Sequence, residues 1–218
     1  MTLYRLFICV LFFWATNAHA DISLLKENHC DQCHRLSSGD KEQNLAPDLF
    51  YAGEKFQEPW LREFLRNPHI IRLNGYSGRM DFPKAITPQP HPSLPEKVAD
   101  EVADVLLTLK LLEPETPINF GEPLSKGKKV RAKILFERNF SCSACHKGVN
   151  LAGKPHGGES GPSLFNAGAR LQPQWIFNWL QSPEKYRSKG RMPRFDLDQE
   201  TAIKLVQYIM TLKKENMK

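Results

Sequence analysis

Residues 30–34 read CDQCH and residues 142–146 read CSACH. Two cysteines three positions apart, with a histidine directly after, have three chemical readings. Paired Cys-x-x-Cys units build zinc ribbons, but 108 residues lie between these two units, far beyond ribbon spacing. A thioredoxin-like redox pair sits beside a βαβ unit, and no such pattern surrounds either motif. The third reading is covalent haem attachment. The thiols add across the two vinyl groups, and the adjacent histidine lies under the ring as an axial iron ligand. The spacing is demanded by the ring, because two sulfurs must reach two fixed points on a rigid plane. Cys30, Cys33, Cys142 and Cys145 are then the attachment residues, and His34 and His146 the first iron ligands.

A six-coordinate haem needs a second axial ligand, which methionine or histidine supplies. Gly-Arg-Met occurs twice, at residues 78–80 and 190–192. His34 to Met80 is 46 residues, and His146 to Met192 is also 46 residues. The equal spacing places Met80 and Met192 where sixth ligands belong, although methionine is also common core filler. Gly78 and Gly190 allow the loop to bend near a ring, and Pro83 and Pro193 stiffen it. His29, His69, His91 and His156 do not recur at matching positions. Met210 lies on a helical face and reads as core, and Met217 is in the tail.

The repetition extends beyond the ligands. "APDLFYAGEKFQEPWLREFLRNP" from Ala46 matches "GPSLFNAGARLQPQWIFNWLQSP" from Gly161 at an offset of 115, whereas the cysteines and methionines match at 112. Two copies of one helical unit are expected. Helices are expected over 22–28, 59–66, 125–138 and 173–180; 59–66 and 173–180 have proline at or just inside their starts and end just before Asn-Pro or Ser-Pro. Val98, Val102, Val105, Leu106 and Leu109 follow helical spacing, as do Ala202, Leu205, Val206, Ile209 and Leu212. No convincing alternating strands occur. The expected organisation is a signal peptide at 1–20, one unit at 21–113, a linker at 114–124 and a second unit at 125–218. "PKAITPQPHP" from Pro83 interrupts the first copy. Each copy is small for a stable core by itself, so a haem-free chain is expected to fold poorly.

The chain has 218 residues and opens with Arg5, an apolar run from Leu6 to Trp14 and the small-x-small sequence Ala18-His19-Ala20. That pattern reads as a secretory signal peptide with cleavage expected after Ala20, the alternative being an uncleaved N-terminal anchor. The apolar run is short for a bilayer span. Residues 21–113 carry 11 basic and 15 acidic side chains, a formal −4; residues 114–218 carry 18 and 9, a formal +9. The basic excess gathers at "SKGKKVRAK" from Ser125 and "EKYRSKGRMPR" from Glu184. It implies an acidic redox acceptor docking on the C-terminal unit, near Lys185, Arg187 and Lys189. The N-terminal unit would face a different partner. Nucleic acid is not an expected partner for an exported haem protein.

The order of Cys-x-x-Cys-His, "APDL" or "GPSL", tryptophan, Gly-Arg-Met and terminal helix resembles class I c-type cytochromes. The whole mature chain resembles a two-domain dihaem cytochrome c of the bacterial periplasm. The resemblance implies an all-α fold of two tandem cytochrome c domains, each wrapped around one covalently attached haem c with iron. It implies that Pro47 and Pro162 present carbonyls to His34 and His146, and that Trp60 and Trp175 donate to haem propionates. Arg79 and Arg191 would offset propionate charge. Ala46 departs from the more typical glycine, Gly161. The function implied is electron transfer between redox partners through two His/Met-ligated haems, not enzymic turnover. The competing readings are a dihaem peroxidase or thiosulfate-type dehydrogenase, or a haem subunit of a larger respiratory complex. Two filled sixth positions argue against the enzymes.

Overall fold

The structure is a computed structural model that describes residues 22–41, 46–72, 90–111, 116–150, 152–187 and 190–213. The expected signal peptide, Gly78, Arg79, Met80, Pro83 and Lys189 lie outside these residues. About half of the described residues are helical.

In the first half, α1 (Ser23–Glu27) runs into a single 3-10 turn at Cys30–Gln32, followed by α2 (Ala52–Lys55), α3 (Glu58–Arg66) and α4 (Glu96–Thr108). In the second half, α5 (Lys126–Ile134) continues through a π turn at Leu135–Asn139 into the 3-10 turn Cys142–Ala144. It is followed by α6 (Ala167–Arg170), α7 (Pro173–Gln181), α8 (Pro183–Tyr186) and α9 (Gln199–Ile209). Helices α2 and α3 recur as α6 and α7 at an offset of 115 residues with identical bounds. One small departure from the strand-free expectation is a hairpin that pairs β1 (Gly148–Val149) with β2 (Pro155–His156). Glycines in "HKGVNLAGKPHGG" permit it: Gly153 and Gly157 adopt positive φ, which glycine does at little steric cost.

Each half gathers its own apolar cluster. Leu25, Leu49, Leu61, Leu65, Val102 and Leu106 centre the first; Phe136, Trp175, Ile176, Leu205, Val206 and Ile209 centre the second. In α4 and α9 the buried positions are spaced as the apolar periodicity requires: Ala99, Val102, Ala103 and Leu106 against Ala202, Leu205, Val206 and Ile209. The second cluster also takes in Tyr51 from the first half, whose ring stacks on Trp175 with centroids 4.7 Å apart.

The halves meet in reciprocal contacts. Phe56 and Leu171 form an isolated antiparallel bridge. Gln57 N–H donates to Arg170 O, and Gln172 N–H donates to Lys55 O, both at 2.9 Å. The Gln57 side chain donates to Gly168 O and Leu171 O, while that of Gln172 donates to the equivalent Gly53 O and Phe56 O. Residues 116–124 have no helix and lie along the second half. Gln174 accepts from Ile118 N–H, and Gln207 donates to Phe120 O and Glu122 O.

Candidate haem sites

Both Cys-x-x-Cys-His segments take the same local form. A non-glycine residue in the left-handed region precedes each: His29 at φ 59° and Ser141 at φ 51°. Such a residue costs roughly 1–2 kcal/mol, so each turn is held there by its surroundings. The chain then closes one 3-10 turn, and the histidine N–H donates to the first cysteine's carbonyl, His34 to Cys30 at 2.9 Å and His146 to Cys142 at 3.0 Å. The four motif cysteines are not joined to one another in disulfides. Cys30 and Cys142 are half-buried and Cys33 and Cys145 exposed. Burial, with Asp31 nearby, pushes the Cys30 pKa up, and burial pushes Cys142 to about 11.

His34 Nδ1 donates to Pro47 O at 2.6 Å, and His146 Nδ1 donates to Pro162 O at 2.8 Å. A carbonyl can only accept, so Nδ1 carries the proton in each ring and Nε2 keeps its lone pair for a metal. Burial lowers the His34 pKa to about 4 and lowers that of His146, partly offset by these same bonds. Both rings are therefore neutral at pH 7. Backbone pairs hold the loops in place: Leu49 N–H donates to Arg35 O, and Leu164 N–H to Lys147 O.

In the second half, Arg191 Nη2 donates to Ser160 O at 3.3 Å. This bond brings the Gly-Arg-Met loop against the loop that ends in Pro162. Trp179 Nε1 donates to Met192 Sδ at 2.8 Å. Trp175 is buried in aromatic contacts with Tyr51 and Tyr186. Trp60 is half-buried and stacked between Phe56 and Phe64.

The sequence reading overlooked a pair of cations. Lys55 and Arg170 occupy equivalent positions at the ends of α2 and α6. The half-buried Lys55 Nζ lies over Trp175, 5.5 Å from the ring centroid, and the buried Arg170 guanidinium lies 5.9 Å from that of Trp60. Each half thus sends a cation to the other half's tryptophan. Burial and the Arg170 charge push Lys55 down to about 7, and burial alone lowers Arg170 to about 10. Arg170 Nε is buried without a hydrogen-bond partner among the described residues. The signal was present in the repeat, where "AGEKFQ" aligns with "AGARLQ". Arg187, read from the sequence as a surface docking charge, is instead buried and stands 3.8 Å from the buried Asp48 carboxylate. The short helix α8 ends at Tyr186, which packs into the core and turns the next residue inward. Lys185 is exposed.

These observations fit a haem at each motif: paired thiols and an imidazole with a free Nε2, with the half-buried Lys55 and the buried Arg170 as nearby positive charge. Among the described residues no helix is long and apolar enough to cross a membrane. No curated protein and no solved structure matches the chain. Residues 129–209 match a family model described as cytochrome C oxidase, cbb3-type, subunit III. The matched stretch is less than half of the chain and contains Cys142, Cys145, His146, Pro162, Trp175 and Met192. The match supports reading residues 129–209 as similar to a c-type cytochrome domain, a kind of domain that holds haem c covalently.

Proposed function

We propose that the chain is an exported, periplasmic dihaem cytochrome that carries electrons between redox partners, the first half being a second cytochrome c domain. The observation that supports the second haem is the recurrence of one local geometry. A left-handed residue, a 3-10 Cys-x-x-Cys turn and a histidine donating to a proline carbonyl occur in both halves. When bound, haem supplies a reversible one-electron change at iron. Cys30, Cys33, Cys142 and Cys145 hold the two rings. Pro47 and Pro162 fix the tautomer and orientation of His34 and His146 and raise their basicity as ligands. Lys55 and Arg170 offset propionate charge across the junction of the halves. Met192 is the sixth ligand in the second half.

Haem content per chain is the test. Two haems are expected in the full-length protein, and Cys30→Ala with Cys33→Ala should leave one, with the C-terminal spectrum retained. A wild-type chain with one haem would overturn the dihaem reading. For the acceptor, α5 exposes Val130 and Ile134 among Lys126, Lys128, Lys129 and Arg131. An apolar centre within a basic rim suits an acidic redox protein.

The family match favours one further reading, a haem subunit of a respiratory oxidase, since that is what the matched family's description names. Co-purification of oxidase subunits and their haems with the chain from detergent-solubilised membranes would favour it. Recovery of the chain alone in the soluble exported fraction would favour the carrier.

A further inference from the structure

We propose that His91 is the second axial ligand of the N-terminal haem, opposite His34, in the place that the repeated spacing gives to Met80. The proposal rests on the dihaem reading above.

Three observations carry it. The His34 and His91 ring centroids stand 6.2 Å apart, with the planes inclined at 55°. Two imidazoles on opposite sides of one metal ion stand about 6 Å apart, from a metal–nitrogen bond near 2 Å and about 1 Å more to each ring centre. Second, His91 Nδ1 donates to Pro92 O at 2.8 Å. As with His34 and Pro47, the carbonyl can only accept, so His91 Nε2 holds the lone pair.

The third observation compares the halves. Phe64 on α3 and Trp179 on α7 are equivalent, 115 residues apart. Trp179 donates to Met192 Sδ at 2.8 Å, whereas Phe64 packs against the His91 ring at 5.2 Å. His91 therefore stands beside Phe64 as Met192 stands beside Trp179. Phenylalanine has no N–H to offer a sulfur, and here it faces an imidazole. The chain length agrees. Ala99 and Ala202 are equivalent buried positions of α4 and α9. Nineteen residues separate Met80 from Ala99, but only ten separate Met192 from Ala202. The first half thus has nine extra residues, in the proline-rich stretch that contains His91. No histidine lies between Met192 and Ala202. That His91 does not recur is what a ligand confined to one half requires.

Bis-histidine ligation gives a lower reduction potential than His/Met ligation, because methionine raises it. The two haems would then differ in potential, with the downhill direction running from the N-terminal haem to the C-terminal one.

The test uses oxidised full-length holoprotein, with haem content measured first. Two haems are expected, with the near-infrared methionine–iron band at the strength of one haem, and two separated potentials. Met192→Leu should abolish that band, and Met80→Leu should leave it and both potentials unchanged. His91→Ala should remove the low-potential bis-imidazole signature and leave the C-terminal haem as it was. Two haems with two equivalents of the methionine band would overturn His91 as a ligand while leaving the dihaem reading standing. One haem per chain would overturn both. Should His91→Ala fail to accumulate, the band strength in wild type and its response to Met80→Leu decide the question.

Discussion

At Gly161 the backbone lies against the proximal ring of the second site. A Cβ there would stand 2.6 Å from His146 Cε1 and 2.7 Å from Nδ1. The residue before Pro162 is thus held to glycine by contact with the ligand itself. Gly161→Ala has to push the imidazole or the loop aside, at a cost of about 1–3 kcal/mol. The expected outcome is a changed potential and weakened ligand-field spectrum for the C-terminal haem and, on the dihaem reading proposed above, no change at the N-terminal one. Redox titration of the variant checks this. The first half has Ala46 at the equivalent position, and Ala46 is only half-buried, so the two proximal loops are not interchangeable.

Among the elements, α2 and α6 pack with their glycines directly against backbone. A Cβ on Gly53 would lie 2.1 Å from Leu107 O, and one on Gly168 would lie 2.2 Å from Met210 O. The closeness lets Gly53 N–H donate to Leu109 O and Gly168 N–H to Leu212 O, which ties each short helix to the end of the long one. Gly168→Ala meets backbone that cannot rotate away. It should destabilise by at least about 1–3 kcal/mol, seen as a lowered melting temperature. The start of α9 supports a gentler prediction. Asp198 accepts from Thr201 N–H at 2.9 Å and Thr201 Oγ1 at 2.7 Å, a helix N-cap. These bonds lower its pKa below the ordinary 3.8. A lowered carboxylate pKa contributes stability above the unfolded value that is lost as pH falls through the folded one. Asp198→Ala should therefore melt below wild type at pH 7, and the gap should narrow as pH falls below about 3.8.

For the whole molecule, the junction of the halves rests on two glutamines with matched roles. Gln57 and Gln172 each give two side-chain hydrogen bonds to the opposite half. A typical hydrogen bond contributes about 0.5–1.5 kcal/mol net. Gln57→Ala and Gln172→Ala should each destabilise the junction by one or two such increments. Their combination should be non-additive, as expected for groups sharing one interface, and denaturant unfolding of the single and double variants measures it. On the dihaem reading proposed above, covalent haem would complete the apolar core of each half. Cys142→Ala with Cys145→Ala should leave the C-terminal half sensitive to protease. A compact, resistant variant would show that the protein core suffices without haem.

The sequence by itself made the two Cys-x-x-Cys-His motifs and the repeat legible. Attachment cysteines and proximal histidines must be adjacent in the chain, because one turn has to present all three to one ring. Local spacing therefore records them, as it records the apolar faces of α3, α4, α7 and α9. What lies across space was left to tertiary structure. Lys55 meets Trp175, and Arg170 meets Trp60, through contacts spanning more than 100 residues, which no local period encodes. Arg187 reads as surface from its charged neighbours, yet the fold turns it toward Asp48. His91 carries no repeat signal, because it belongs to an insertion. Only the return of the chain to α4 brings its ring to 6.2 Å from that of His34.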